Sequence, residues 1–507
     1  MNGLDWISKW SSYLPHKIAV VELDTQKEYS YREIHQYSFA VTQLLKSRYR
    51  EGDRIAVLAE QSALMIALFS ACQRLGIILV PINYRLSTKE IFELLKDCEP
   101  SLIIFNEGFK EKLTLARDYF NCVSQTHLTE QVYNIDVPDD FTNISFSIKE
   151  DLPIFLFYTS GTTQKPKGVL YTNKMLFWNS LNTTMQLELT SHDRTINILP
   201  PYHTSGWNVF VTPLLHNGGT IGILKKFETS DVLRALEKTQ STVFICLPTI
   251  LQMIAKDPDF QKTNLSSLRY IVTGGEFITQ QSIEFWWNEK NILIRPGYGL
   301  TEAGPSITSL HQDMIFKKPN SIGKPNFYVD IDIRDSNDQP VGDYETGELC
   351  IKGPIVTTGY WNNSVATKNQ LRNGWFHTRD LAYRDKDGYY FLKGRMDDMY
   401  ISGGENIFPQ EIEQLISQFP YVEKAIVLPV NHDVWGAVGA VFIKTTHNLK
   451  PIDIENYLKD KLAKYKFPKY YFFLSDFPAT SVGKISRKEL YKLFNKQNNN
   501  EQQSHLL

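Results

Sequence analysis

Hydroxyls, amides and an ammonium crowd into one short stretch, YTSGTTQKPKGV, which runs from Tyr158 to Val169. It follows the apolar run IFLF and so leaves the end of a strand. The hydroxyls of Thr159, Ser160, Thr162 and Thr163, the backbone amides around Gly161 and the ammonium of Lys167 are suited to surround a triphosphate, because successive N–H groups in a turn form an anion-binding nest. The stretch is not a Walker A loop, which requires Gly five residues after Gly161; Pro166 stands there. A surface hairpin rich in Ser, Thr and Gly is the bland alternative.

The elements that must carry this turn are visible around it. From Arg54 the chain reads RIAVLAE, SALMIALFSACQRLG, IILVPIN, TKEIFELLKDC and SLIIFN. Strand, helix, strand, helix, strand is the pattern of a parallel sheet covered by helices. A second block in the same style lies between Thr195 and Thr273. From Asp330 short β-like runs separated by Gly, Asp and Asn predict a small antiparallel unit, and after Arg395 comes a compact α/β tail. The predicted fold class is therefore α/β: a large N-terminal lobe of two parallel-type sheets with helices plus a small β unit, followed by a small, mobile α/β C-terminal domain. The boundary is placed in GRMDDM, giving domains 1–394 and 395–494, with the polar stretch 495–507 expected to be disordered.

Composition narrows the function. A chain of 507 residues is longer than one hydrophobic core usually supports. Lys and Arg total 54 against 56 Asp and Glu, a formal charge of -2, so no overall field would hold nucleic acid. Cys72, Cys98, Cys122, Cys246 and Cys350 show neither a C-x-x-C pair nor zinc spacing, which predicts a reducing compartment and no structural metal. The start MNGLDWISKW lacks the pattern of a secretory signal, and the apolar stretch Ala63 to Pro81, broken by Gln73, Arg74 and Gly76, suits a buried helix and strand better than a membrane span. A cytoplasmic protein without an integral membrane segment is expected. The number of chains in the assembly stays open, a homodimer among the alternatives.

At YTSGTTQKPKGV the sequence resembles the adenylate-forming superfamily of acyl-CoA synthetases, peptide-synthetase adenylation domains and firefly luciferase. The resemblance continues in order from YSYREI at Tyr29 to GKISRKEL near the end. It implies ATP, Mg²⁺ and coenzyme A as cosubstrates and cofactor, a small-molecule carboxylic acid as substrate, and acyl-AMP formation followed by thioester formation. In YGLTEAGP it implies Tyr298 and Gly299 against the adenine, Thr301 near the phosphates and Glu302 on Mg²⁺, a hard cation that takes carboxylate oxygens. Gly274, Gly275 and Glu276 of TGGEF resemble the segment lining both adenine and acyl pockets, where adjacent glycines let a flat ring approach the backbone; an ordinary tight turn is the other reading. Asp380 matches the acceptor of the ribose hydroxyls and Arg395 a contact to ribose or phosphate.

Further on, Asp397 resembles the hinge about which the C-terminal lobe swings, with Gly394, Gly403 and Gly404 beside it. In one orientation Lys484 would reach the acyl carboxylate and the α-phosphate. In the other, Ser402, Gly403, Gly404 and Glu405 of SGGEN would line the thiol's tunnel. Two departures stand out: Gln164 and Arg379 each occupy a place where relatives have Gly. Gln164 is expected to stiffen the phosphate turn without abolishing binding.

The stretch LPPYHTSGWNVFVTPLLHNGG, 199 to 219, resembles the pocket wall and contains no acidic residue to pair with an ammonium group, so an amino acid is not the expected substrate. His203 either shuts the site or touches the carboxylate, or else caps a turn; Trp207 either gates the acyl pocket, together with Gly275 and Gly299, or packs in the core. Val209, Phe210 and Val211 fit a fatty or an aromatic tail equally, with the fatty acid placed slightly ahead. The alternatives are an acyl-AMP ligase that loads a carrier protein and a weakly catalytic nucleotide-binding relative.

Overall fold

A computed structural model describes residues 3–159, 166–459, 461–478 and 485–504. Its contacts divide the chain into two compact units, the first comprising residues 1–278, 282–331 and 351–377 and the second 279–281, 332–350 and 378–507.

The first unit opens on the alternation seen in the sequence. Strands Arg54–Leu58, Ile78–Pro81 and Leu102–Phe105 and helices Ala63–Leu75 and Thr88–Cys98 fall where the periodicity predicts. Local chemistry fixes their ends. The Ser62 hydroxyl accepts from Met65 N at the start of the first helix, Gly76 closes it at φ +67°, and Ser87 and Glu90 form a capping box on the second. These strands lie parallel in a six-stranded sheet whose order ends in Ile78–Pro81, Pro153–Thr159 and Lys167–Thr172, the last two pairing as an antiparallel hairpin. The phosphate stretch thus springs from the carboxyl end of a strand set parallel to its neighbour, the usual location of ligands in α/β sheets.

The second sequence block splits. Arg194–Asn197 and Thr220–Ile223 join a four-stranded sheet with the N-terminal hairpin Ile18–Glu22 and Lys27–Ser30. Val243–Ile245, Tyr270–Thr273 and Leu293–Tyr298 run parallel in a five-stranded sheet and are extended antiparallel by Thr308–Ser309 and Lys324–Pro325. Among the described residues the strands of the second block are thus shared between two sheets, because strands adjacent in sequence are not all adjacent in space.

In the second unit, the end of strand Trp375–Arg384, from Asp380 on, pairs antiparallel with Tyr390–Arg395, aligning Asp380 with Arg395. Beyond it the long hairpin Lys424–His432 and Gly436–Lys444 is flanked by Tyr400–Ser402, Glu405–Ile407 and Tyr470–Leu474, and helix Pro409–Ile416 packs its Ile412 and Ile416 into that core. Helix Arg487–Ser504 closes the described part of the unit. All five cysteines are free, and no helix among the described residues is long and apolar enough to cross a membrane.

Candidate active site

Ser160, Gly161, Thr162, Thr163 and Gln164 lie outside the described residues, as does Lys484. The flanks of the phosphate turn are described. Thr159 and Lys167 form the last pair of the hairpin ladder, and the Thr159 hydroxyl donates to the Lys167 carbonyl at 3.3 Å. Just before it, the Tyr158 phenol donates to Asp97 at 2.5 Å; burial, reinforced by that carboxylate, pushes its pKa far up and keeps it neutral.

The segment 357–361 is laid along the outgoing strand of this hairpin. Leu170 N donates to the Gly359 carbonyl at 3.1 Å, Trp361 N to the Gly168 carbonyl at 2.7 Å, and the Thr357 hydroxyl to the Leu170 carbonyl at 2.6 Å. The same segment reaches the second motif: Thr357 N donates to the Glu302 carbonyl at 2.7 Å, and the Tyr360 phenol donates to Glu302 Oε1 at 2.8 Å. Lys167 Nζ stands 5.4 Å from the centroid of the Tyr360 ring, within cation–π range. Thus Lys167 and Glu302, 135 residues apart in the chain, meet on one buried tyrosine.

The turns TGGEF and YGLTEAGP leave the carboxyl ends of the neighbouring parallel strands Tyr270–Thr273 and Leu293–Tyr298. A Cβ on Gly274 would lie 2.9 Å from the Gly297 carbonyl oxygen, so the glycine lets the two turns close on each other. Tyr298 is buried, and its carbonyl accepts from Ile307 N at 3.0 Å as the chain folds back. Between them a short 3₁₀ turn, Thr301–Ala303, carries the half-buried Thr301 and Glu302, with Leu300 N donating to the Gly304 carbonyl at 3.1 Å. A Cβ on Gly299 would sit 2.2 Å from the Pro305 carbonyl oxygen, which only glycine avoids. Glu276 is half-buried, as is His203, whose ring lies 4.8 Å from that of Tyr202.

Trp207 is fully buried. It has 0% of its surface exposed, packs on Phe69 and Phe155 at centroid distances of 5.6 and 5.1 Å, and donates its indole N–H to the Pro201 carbonyl at 2.8 Å. The polar and the apolar surfaces of the indole are both satisfied internally, a surrounding that suits core packing. Below the YGLTEAGP turn lies a buried polar layer that the sequence did not reveal: Asn179 donates to the Asn208 carbonyl at 2.6 Å, Thr183 to Ser306 Oγ at 2.7 Å and Asn326 to the Ser306 carbonyl at 2.9 Å.

In the second unit, Arg395 Nε donates to Asp380 Oδ1 at 2.9 Å, across the ladder pair that aligns them. Arg379 sits at φ +63° and forks onto Asp397, its Nε lying 3.0 and 3.2 Å from the two carboxylate oxygens; that hydrogen-bonded carboxylate raises the guanidinium pKa further. Ser402, Gly403, Gly404 and Glu405 form the tip of the hairpin Tyr400–Ser402 and Glu405–Ile407. A cavity of about 380 Å³ opens there, lined by Ser402, Gly403 and Glu405 together with Trp435, Lys464 and Tyr465. The Trp435 ring covers Gly403 so closely that a Cβ there would stand 2.7 Å from it. Tyr360 and Trp435 are the residues that motif reading missed; each touches a motif residue only through the fold.

The chain matches the family model described as AMP-binding enzyme over residues 7–361 and that described as AMP-binding enzyme C-terminal domain over residues 411–484. A feruloyl-CoA synthase of an Amycolatopsis species is 33% identical over 454 residues, covering 88% of this chain and 89% of its own length. An indoleacetate–CoA ligase of Aromatoleum aromaticum is 30% identical over 500 residues, covering 96% and 97%. Among solved structures, the O-succinylbenzoate coenzyme A synthetase of Bacillus subtilis in complex with ATP and magnesium ion superposes with a TM-score of 0.85 at 28% identity, covering 96% of this chain and 99% of its own.

Proposed function

We propose, from the premise that the chain belongs to the AMP-binding enzymes and is an AMP-forming acid–thiol ligase, that it activates an aromatic carboxylic acid with ATP and transfers the acyl group to coenzyme A. The observation that carries the nucleotide half is the meeting of Lys167 and Glu302 on Tyr360, beside the base of the phosphate turn.

In the first step an acid oxygen attacks the α-phosphorus of ATP and pyrophosphate leaves. Two anions meet, so positive charge and positioning must do most of the catalysis. Glu302 suits a magnesium ion: its carboxylate is a hard oxygen donor, half-buried, with its backbone and one oxygen already fixed by Thr357 and Tyr360. Bound there, the ion would supply positive charge to phosphate oxygens. Lys484 supplies a second cation on the C-terminal domain, with Asp397 as the hinge and residues 395–494 as the mobile domain. Tyr298, Gly299, Gly274 and Gly275 receive the adenine, and Asp380 and Arg395 the ribose. Thr301 and Lys167 face the phosphates, and His203 and Glu276 the acid.

In the second step the thiolate of coenzyme A attacks the acyl carbonyl and AMP leaves. The cavity beside SGGEN supports this half: an indole face over a glycine for a base or pantetheine arm, and two lysines, Lys464 and Lys469, for phosphates. Feruloyl, indoleacetate and succinylbenzoate ligases among the relatives favour an aryl acid over the fatty acid first placed slightly ahead, between which the pocket-wall residues do not discriminate.

A panel of aryl and fatty acids, scored by acid-dependent pyrophosphate release and by thioester formed with coenzyme A, tests the reading. Aryl acids should lead, and Lys484→Ala should slow adenylation on the order of 10²–10³-fold while ATP still binds. Acyl transfer to a carrier protein's pantetheine but not to coenzyme A would replace the acceptor, and no acid-dependent pyrophosphate release would reject the enzyme reading.

A further inference from the structure

We propose that Tyr360 is a positioning residue that orients the two charges of the nucleotide site, Glu302 through its hydroxyl and Lys167 through its ring; the proposal rests on the roles just given to those two residues. Tyr360 has 5% of its surface exposed and little freedom to wander. It forms an antiparallel bridge with Val169, its N–H donates to Thr367 Oγ1 at 3.0 Å, and its neighbour Trp361 is tied to Gly168. The strand that carries Lys167 therefore also fixes the tyrosine on which Lys167 rests.

The phenol oxygen lies 2.8 Å from Glu302 Oε1 and also within hydrogen-bonding reach of Gln370 Oε1. A phenol has one proton, and an ionised carboxylate is a better acceptor than a neutral amide, so the proton goes to Glu302. A carboxylate has about four lone-pair sites, so one such bond fixes its rotation without exhausting its capacity for a hard cation. On the other side, the ring face meets Lys167 Nζ at 5.4 Å, while the hydroxyl of the same ring donates to Glu302. One side chain thereby sets the spacing between a cation and an anion that sequence separates widely.

Calorimetric binding of ATP to the full chain over a range of free Mg²⁺ tests this. Tyr360→Phe removes only the oxygen and should raise the half-saturating Mg²⁺ concentration about 5-fold while ATP affinity at saturating Mg²⁺ stays within about 2-fold. Tyr360→Leu, which also removes the ring, should in addition weaken ATP binding without Mg²⁺ about 3-fold. A merely structural tyrosine would lower the melting temperature without separating the two dependences, and that result overturns the proposal. So does wild-type Mg²⁺ dependence in Tyr360→Phe, which carries the test even if the Leu variant fails to fold. Should the wild-type chain bind ATP with no response to Mg²⁺, the role of Glu302 falls first and this inference with it.

Discussion

In the first unit the candidate residues hang from backbone. Glu302 and Thr301 ride a 3₁₀ turn closed by main-chain hydrogen bonds, above a buried polar layer, and Gly274 and Gly299 allow carbonyl contacts that no other residue would permit. In the second unit the corresponding residues hold one another: Arg395 holds Asp380, Arg379 holds Asp397, and Trp435 covers Gly403, with the Arg379 and Asp397 side chains each nearly half exposed. Backbone-built geometry is set at folding and is stiff, whereas exposed ion pairs are worth little and exchange readily. The first arrangement suits a site that must present fixed charges to a triphosphate. The second suits a region whose partners, under the proposed function, change between two half-reactions.

The sharpest way to break this contrast is at the stiff end. Glu302→Gln keeps the shape and an oxygen for Tyr360 but removes the negative charge, so acid-dependent ATP–pyrophosphate exchange should fall on the order of 10²–10³-fold, about 3–4 kcal/mol. The melting temperature should stay within about 2 °C, since the backbone still holds the turn. Exchange within about 10-fold of wild type would place the metal elsewhere.

Acid should weaken the first unit through His35, which is buried, and His216, which is half-buried. His216, stacked 4.3 Å from Trp6 with Nδ1 2.9 Å from Ser180 Oγ, has its pKa lowered by burial to about 4; His35 is lowered to about 4 by burial and, next, by Arg74. Between about pH 6.5 and 4 the unfolded chain binds protons that the folded one refuses, so stability rises with pH across that window and is lost as pH falls through it. The loss should reach the order of 3 kcal/mol per histidine near pH 4, and His216→Gln should flatten the slope of denaturant midpoint against pH. An unchanged slope would mean that protonated His216 is accommodated in the fold.

In the second unit, Trp435→Ala should raise the KM for coenzyme A about 10-fold and leave adenylation within about 2-fold, because the indole lines the SGGEN cavity and no nucleotide motif. A change in adenylation with an unchanged KM for coenzyme A would move that cavity out of the thioester step.

What could be read beforehand follows the same division between local and distant. The strands and helices between Arg54 and Phe105 were legible because periodicity and caps are written in neighbouring residues. The motif turns were legible because glycines and hydroxyls cluster within a few positions. The pairing of Val20 with Ile221 was not, nor was the approach of Tyr360 to Lys167 and Glu302, since both depend on which strands become neighbours. Trp207 shows the limit from the other side: its spacing from His203 suited a gate and a core residue alike, and its packing on the rings of Phe69 and Phe155 could not be read from that spacing.

Arg379 offers the smallest and most discriminating effect. A non-glycine residue at φ +63° costs roughly 1–2 kcal/mol of backbone strain that Gly would relieve. Its fork onto Asp397 returns about 1 kcal/mol at most, since both side chains are close to half exposed and solvent screens the pair. Arg379→Gly should therefore leave stability within about 1 kcal/mol of wild type, and salt should tip the balance: raising ionic strength toward 1 M shortens the screening length to about 3 Å and removes what the pair adds, so the melting temperature of the variant should gain on that of wild type. If the variant instead melts more than about 5 °C lower at every salt concentration, the pair is stronger than any exposed pair, and the second unit is stiffer than its ion pairs suggest.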